Sequence, residues 1–223
     1  MMTNLFSIFD PSTKPLFLSN WTSILIIICI LPMSYWLFAQ RSKQLFLSVF
    51  YYLTAEFSPM TKKSPYVLII PTALFIFISL SNLAGLLPYV FTPSSHLMFT
   101  LPLALSLWSA MYLYSWLNNY LNTLVHLIPQ GTPILLSPFM VIIETVSAVI
   151  RPGTLAVRLA ANMISGHLLL VLLSSSFIYS DTMALPALFI TQSLLSLLEL
   201  AVAVIQAYVF GILVTLYSSE AVN

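Results

Sequence analysis

Charged side chains are scarce in this sequence, which has seven Lys or Arg and six Asp or Glu among 223 residues. A soluble domain carries about 25% charged residues. This chain has 6%, together with 60% hydrophobic residues and a mean hydropathy of +1.00. It is therefore predicted to be an integral membrane protein. The net charge of +1 and the scattered basic residues exclude a nucleic-acid binder that depends on neutralising phosphates.

Cysteine is nearly absent, and no phosphate-binding glycine motif occurs. Cys29 lies in an apolar run without a second thiol or a Cys/His cluster, so neither a disulfide nor a metal site is expected. Without a phosphate-binding loop, no nucleotide site and no cofactor are predicted. His96 and His126 lie in loop or span-end contexts and are assigned no catalytic role. The N-terminus lacks the patterns of a secretory signal or transit peptide, and no removable segment is expected.

Long apolar runs fill most of the chain. A bilayer core of about 30 Å needs about 20 apolar residues per helix. The runs predict one all-α membrane domain over 1–223 with about five membrane-crossing helices and one interfacial amphipathic helix. The predicted segments are an N-terminal segment (1–20), a first span (21–39), an interfacial helix (43–59), a two-span hairpin (66–117) and a final helix pair (133–217).

The final pair is too long for upright spans. A straight helix from Pro133 to Ser176 would be roughly 65 Å long, and one from Met183 to Tyr217 about 50 Å. The first run allows either a tight hairpin at Arg151–Gly153 or one steeply tilted helix, perturbed at Pro152. Two over-long neighbours predict a strongly tilted antiparallel pair.

Basic residues set the predicted orientation. Arg41, Lys43, Lys62 and Lys63 all fall between the first and second spans, and basic residues accumulate on the inner side of membranes. With five crossings, the N-terminus and the turn around Asp181 are then outside, and the C-terminus is inside.

Several polar residues interrupt the final pair. Arg158 lies in mid-run, where a charge costs from about 3 to more than 10 kcal/mol depending on the measurement. If the two runs fold back on each other, Arg158 and Gln206 reach a similar depth, and His167 comes level with Glu199. Arg158 and Asn162 are about 40° apart on their helix, whereas His167 is about 180° from Arg158. Arg158 and His167 should therefore line different walls.

This arrangement predicts two polar half-paths separated by a permanent cation. One runs from outside through His167 and Glu199, and the other runs inward past Asn162 and Glu144. Carboxylates and histidines pass protons, whereas arginine does not deprotonate. Arg158 would block a continuous proton wire, but it could hold a passing carboxylate in its charged form. Glu144 fits a position near the membrane interface equally well.

Each of these residues also has a purely structural explanation. Arg158 could snorkel or pair with Glu199, and His167 could be a packing histidine between helices. Asn162 and Gln206 fit ordinary interhelical hydrogen bonds.

The segments LAVRLAANMISGHLL and SLLELAVAVIQAYVFGILVTLY together resemble subunit a of the rotary F-type ATP synthase, in its mitochondrial form. The likeness extends from Trp21 to the C-terminus. In bacterial members the positions of His167 and Glu199 usually hold Glu and His, and this reversed order favours the mitochondrial form. The residues that match the family pattern are Glu144, Arg158, Asn162, His167, Glu199 and Gln206.

The resemblance implies a proton-conducting stator subunit of the Fo motor. Arg158 would face the carboxylates of a rotating ring of c subunits and separate two offset half-channels, which couples proton flow to rotation and ATP synthesis. The long helices would lie tilted against the ring, which disfavours the hairpin at Arg151–Gly153. ATP chemistry would belong to partner subunits, so this chain would be a non-catalytic part of an enzyme complex.

The implied partners are the c-ring, other Fo and peripheral-stalk subunits, lipid and the transported proton. The implied location is the inner mitochondrial membrane, with the N-terminus on the intermembrane-space side and the C-terminus in the matrix. An antiporter-like respiratory subunit or secondary transporter is the main alternative, but it should show internal repeats, broken helices and an intramembrane lysine. A membrane scaffold has no reason to place these polar residues in register.

Overall fold

The computed structural model describes residues 5–12, 20–25, 41–61, 65–87, 90–128 and 133–222. Within these residues the chain is helical and contains no strand, which confirms the predicted all-α class. The six α-helices described in full are α1 (Arg41–Phe57), α2 (Ile69–Gly85), α3 (Leu97–Asn118), α4 (Tyr120–His126), α5 (Ser137–Ser176) and α6 (Leu185–Val222).

Four helical stretches in the described part of the chain are long and apolar enough to cross a membrane. They are Pro65–Gly85, Leu97–Asn118, Ser137–Ser176 and Leu185–Ser219. The predicted first span, residues 21–39, lies outside the described residues from position 26 onward. Helix α1 occupies the stretch predicted to be interfacial, and the residues after α3 form the seven-residue helix α4.

Helix α5 runs without a break through Arg151–Gly153, so the alternative of a tight hairpin there is wrong. Pro152 lacks a backbone N–H, yet it lies buried inside a helix of 40 residues. At 1.5 Å per residue α5 is about 60 Å long, twice the thickness of a bilayer core of about 30 Å. A helix of this length fits a membrane only when it is strongly inclined.

The core forms where α2, α6 and the end of α1 meet. Ile78 of α2 and Ala207 and Phe210 of α6 are buried there. Phe57 of α1 is 1% exposed and stacks on Tyr208, with ring centroids 6.2 Å apart. Burial of such side chains contributes about 1.5–3 kcal/mol each in water, whereas in lipid close packing and interhelical hydrogen bonds hold helices together.

One interhelical hydrogen bond fixes α2 against α6. The Nδ2 group of Asn82, which is completely buried, donates to the Ala203 carbonyl at 3.2 Å. Elsewhere in α2 the hydroxyls bond within their own helix. Thr72 donates to the Ile69 carbonyl at 3.0 Å, and Ser81 donates to the Ile78 carbonyl at 2.8 Å. Such back-bonding explains how an apolar span holds several hydroxyl groups.

Candidate functional site

The only described contact between oppositely ionisable side chains on α5 and α6 joins His167 and Glu199. The chain turns between Ser176 and Leu185, so the two helices run in opposite directions from that turn. The Nε2 atom of His167 lies 3.8 Å from Oε1 of Glu199. The side chains are 16% and 5% exposed, respectively. The structure thus brings together the two residues that turn arithmetic placed at one level.

Gly166 makes room for this carboxylate. A Cβ atom built on Gly166 would lie 2.6 Å from Oε1 and 2.9 Å from Cδ of Glu199, closer than real Cβ contacts. The glycine before His167 therefore lets the Glu199 side chain reach the surface of α5. A Gly-His pair in an apolar helix is the sequence signal for this close approach, and its meaning emerges only when the partner helix is known.

The His167–Glu199 pair lacks hydrogen bonds within the described residues. The separation of 3.8 Å exceeds hydrogen-bonding distance, and Nε2 and both carboxylate oxygens are buried without a partner. Buried polar atoms are normally bonded to protein or ordered water, so each exception needs an explanation. A proton or a water molecule between these groups would satisfy both. The arrangement is therefore suited to accept, hold and release a proton.

Arg158 lies in a different environment on the same helix. It is exposed, and no ion pair or hydrogen bond joins it to any described residue. It precedes His167 by nine residues, or about 13 Å along the axis. Because Glu199 contacts His167, a structural ion pair between Arg158 and Glu199 is excluded in this arrangement.

The surface around Arg158 consists of small side chains. Thr154, Ala161 and Ser165 are exposed and share one face of α5 with Arg158, at intervals of three or four residues. The hydroxyl of Thr154 donates to the Arg151 carbonyl at 2.9 Å, and that of Ser165 donates to the Asn162 carbonyl at 3.1 Å. We call these four positions the Arg158 stripe. The guanidinium of Arg158 is the one polar side-chain group on the stripe without a hydrogen bond to a described residue.

Asn162 and Gln206 are half-buried. Gln206 follows Glu199 by seven residues, or about 10 Å, on a helix that runs opposite to α5. Arg158 lies about 13 Å from His167 in the same direction. With His167 against Glu199, this register puts Gln206 and Arg158 at nearly the same level.

Glu144 is remote from these residues and already has a partner. Its Oε1 accepts a hydrogen bond of 3.3 Å from Nη2 of Arg151 on the same helix, with the side chains 38% and 34% exposed. The guanidinium carbon of Arg151 also lies 5.4 Å from the ring centroid of Tyr217. Arg151 therefore links α5 to α6 through a cation–π contact. Within the described residues, no three His, Cys, Asp or Glu side chains gather as a metal site would require.

A second group of buried polar atoms surrounds the turn Pro93–Ser95. This turn contacts α2, α3 and α5, and it is buried. Phe91 stacks on His96 with ring centroids 5.1 Å apart. Four of the polar atoms lack a described partner: Oγ of Ser23, Oγ of Ser94, Nε2 of His96 and Oγ1 of Thr100. The sequence reading missed this cluster because serines and prolines between spans are typical of exposed loops.

The apolar helices enclose an ionisable pair, and one of them carries an arginine that is unpaired within the described chain. These features are typical of ion-translocating membrane proteins. Residues 16–219 match the family model described as ATP synthase A chain. The chain is 50% identical to ATP synthase subunit a of Anopheles gambiae, 49% identical to that of Locusta migratoria and 48% identical to that of Drosophila melanogaster, with 99% of each chain covered. The chain belongs to the ATP synthase subunit a family.

Family membership assigns the chain to ATP synthesis and proton transport within the membrane part of that complex. The recognised family is therefore confirmed. Together with the apolar helices, it makes the chain a multi-pass protein of the inner mitochondrial membrane.

Proposed function

We propose that this chain is the stator subunit that carries protons to and from a ring of c subunits through two offset half-channels. Arg158 separates the half-channels and faces the ring carboxylates. Proton flow is thereby coupled to ring rotation and to ATP synthesis in partner subunits. The bare guanidinium of Arg158 on an exposed helix face is the observation that carries this proposal.

An unpaired guanidinium in a membrane needs an anionic partner. Arginine remains protonated under all relevant conditions, and a charge in lipid is costly unless it is paired. Because no described residue of this chain pairs with Arg158, the partner belongs to another molecule. Small residues on the stripe favour close approach of a second helix, as at other helix contacts in membranes. A ring helix with one carboxylate in mid-membrane has the required chemistry.

The His167–Glu199 pair suits the outer half-channel. It lies on the side of Arg158 toward the turn around Asp181, and the basic residues between the first and second predicted spans support an outer location for that turn. A histidine beside a carboxylate exchanges protons with little rearrangement, and the buried oxygens have no competing hydrogen bond within the described residues. The unsatisfied polar atoms near Ser94 and Thr100 offer water sites on the same side.

The inner half-channel passes Asn162 and Gln206 and leads toward Glu144. Both amides are half-buried at about the level of Arg158, where they order water or a ring carboxylate. In this orientation the N-terminus is on the intermembrane-space side and the C-terminus is in the matrix. The remaining Fo and peripheral-stalk subunits hold the chain against the ring.

Replacement of Arg158 tests this function. In assembled complexes, Arg158→Gln should abolish ATP-driven proton pumping and proton-driven ATP synthesis. Without a fixed cation, nothing holds the ring carboxyl group in its charged form and promotes release of its proton. Passive proton leak should rise, because nothing then separates the half-channels. Arg158→Lys should restore little activity, since lysine lacks the planar fork and loses its charge more readily. Normal coupled synthesis by the Arg158→Gln complex would contradict the proposal.

A further inference from the structure

An aromatic residue near the N-terminus contacts the buried pair. Phe9 ends the short 3₁₀ turn Leu5–Phe9, which packs against α5. The rings of Phe9 and His167 meet edge to face, with centroids 6.4 Å apart and an interplanar angle of 79°. Phe6 belongs to the same turn but is 67% exposed. The turn therefore directs one of its two phenylalanines at the imidazole.

Packing, and not hydrogen bonding, holds His167 in place. Its Nε2 atom is buried without a hydrogen-bond partner in the described structure, and the Glu199 carboxylate is 3.8 Å away. A histidine without bonds of its own adopts other rotamers unless neighbouring groups block them. Glu199 lies beside the ring from α6, and Phe9 contacts it from a segment near the N-terminus.

We propose that Phe9 is a positioning residue that keeps the His167 imidazole directed at Glu199 and shields it from bulk water. The inference rests on the proposed function only in treating this pair as a proton relay. An aromatic ring suits this task because an edge-to-face contact combines apolar packing with the attraction between ring quadrupoles. A leucine or an alanine would offer at most the packing.

Few other charges face the imidazole. From α6 the ionisable neighbour is Glu199. The turn Leu5–Phe9 has no charged residue, although Asp10 follows it and is exposed. Helix α3 and the turn Pro93–Ser95, which also pack on α5, contain no Asp, Glu, Lys, Arg or His. Substitution of Phe9 therefore changes the contact of His167 without removing a charge.

The contact is testable by chemical modification of histidine in the assembled ATP synthase. Diethyl pyrocarbonate reacts with accessible unprotonated imidazoles, and the chain has three histidines, so His96 and His126 serve as internal references. Edge-to-face pairs shift such equilibria by roughly two- to tenfold. Phe9→Ala should raise the modification rate of His167 by that factor relative to His96. Phe9→Tyr should keep the original rate, and Phe6→Ala should leave it unchanged.

Proton-driven ATP synthesis, measured against outer pH, gives the functional readout. Phe9→Leu, which keeps apolar bulk without the ring, should lower the rate two- to tenfold and change its dependence on outer pH, whereas Phe6→Leu should do neither. If Phe9→Ala does not assemble, Phe9→Leu is used for both measurements. Equal His167 reactivity in the wild type and in the Phe9 variants would overturn the inference even if Arg158→Gln is inactive. If His167 reactivity rises in the Phe9 variants but the Arg158→Gln complex remains fully coupled, the positioning role stands and the proposed function is refuted.

Discussion

Two arginines on α5, seven residues apart, have opposite environments. Arg151 donates a hydrogen bond to Glu144 at 3.3 Å and lies over the Tyr217 ring, so its charge has partners within the chain. Arg158 is exposed on a stripe of small residues and has no described partner. Sequence position alone makes both look like costly charges in an apolar run. The contacts distinguish an arginine that is paired within the chain from one without a partner among the described residues.

Glu144 and Glu199 also differ in whether they have partners within the described chain. Glu144 is bonded to Arg151 and partly exposed, whereas Glu199 is 5% exposed with its oxygens free of hydrogen bonds to described residues. A satisfied ion pair near the surface contributes at most about 1 kcal/mol to stability. A buried, unsatisfied carboxylate opposes stability and persists when a function needs it. The surroundings of Glu199 therefore differ in kind from those of Glu144.

Among tests of this contrast between the two carboxylates, the largest effect on the coupled rate is expected from exchanging His167 and Glu199. Each single variant, His167→Glu or Glu199→His, places two like groups in contact and should slow proton uptake from outside. The double variant restores one acid and one imidazole in the same space. Residues in contact couple by 0.5–3 kcal/mol, so the double variant should recover roughly 2- to 100-fold of the rate lost by the worse single variant.

Proton-driven ATP synthesis at several outer pH values checks the exchange. The two groups titrate as a pair, so the pH dependence should return toward that of the wild type only in the double variant. Strictly additive losses at every pH would show that the two side chains do not share a site.

Gly166→Ala should separate function from stability. The added Cβ would lie 2.6 Å from Oε1 of Glu199, the mobile end of a flexible side chain, so the carboxylate moves and the fold does not. Misplacement by about 1 Å lowers rates by up to 100-fold, and we expect coupled synthesis to fall at least severalfold. Gly153→Ala is the matched control, since nothing lies within 4 Å of its added Cβ.

Both glycine variants gain helix propensity of about 1 kcal/mol, so thermal stability of the complex should not fall in either. Coupled rates that are equal in the Gly166→Ala and Gly153→Ala complexes would mean that the position of Glu199 is unimportant.

Arg151→Gln should have the smallest effect. It removes a partly exposed ion pair and a cation–π contact with Tyr217, which together contribute about 1–2 kcal/mol. Complex stability should fall slightly, while coupled synthesis stays within about twofold of wild type once assembly is corrected for. A complete loss of coupling without loss of assembly would show that Arg151 is needed for coupling and is not merely structural.

Periodicity and length predicted much of this fold. Helices α3, α5 and α6 lie where apolar runs predicted spans, because a bilayer demands about 20 apolar residues per crossing. Run length and periodicity left open the choice between a hairpin and one helix at Pro152, and only the family resemblance disfavoured the hairpin. A proline disrupts a helix in isolation, and the packing of its buried side chain in α5 is a tertiary effect.

The candidate site was predictable only in part. Similar spacing from a turn placed His167 near the level of Glu199, since both helices rise by the same distance per residue. The role of Gly166 and the contact of Phe9 depend on partner helices and on a segment more than 150 residues away along the chain. The contact of Arg151 with Tyr217 was hidden for the same reason, because Tyr217 belongs to another helix.

Cross-linking along the Arg158 stripe tests the central claim most directly. Ala161→Cys, in a chain with Cys29 replaced, would carry a thiol-attached photoreactive group in the assembled complex. Leu113 of α3, 59% exposed, provides a control position on another membrane helix. Illumination should join position 161 to the proteolipid ring subunit and leave position 113 without that product. Capture of the ring subunit from position 113 and never from position 161 would contradict the placement of Arg158 against the ring.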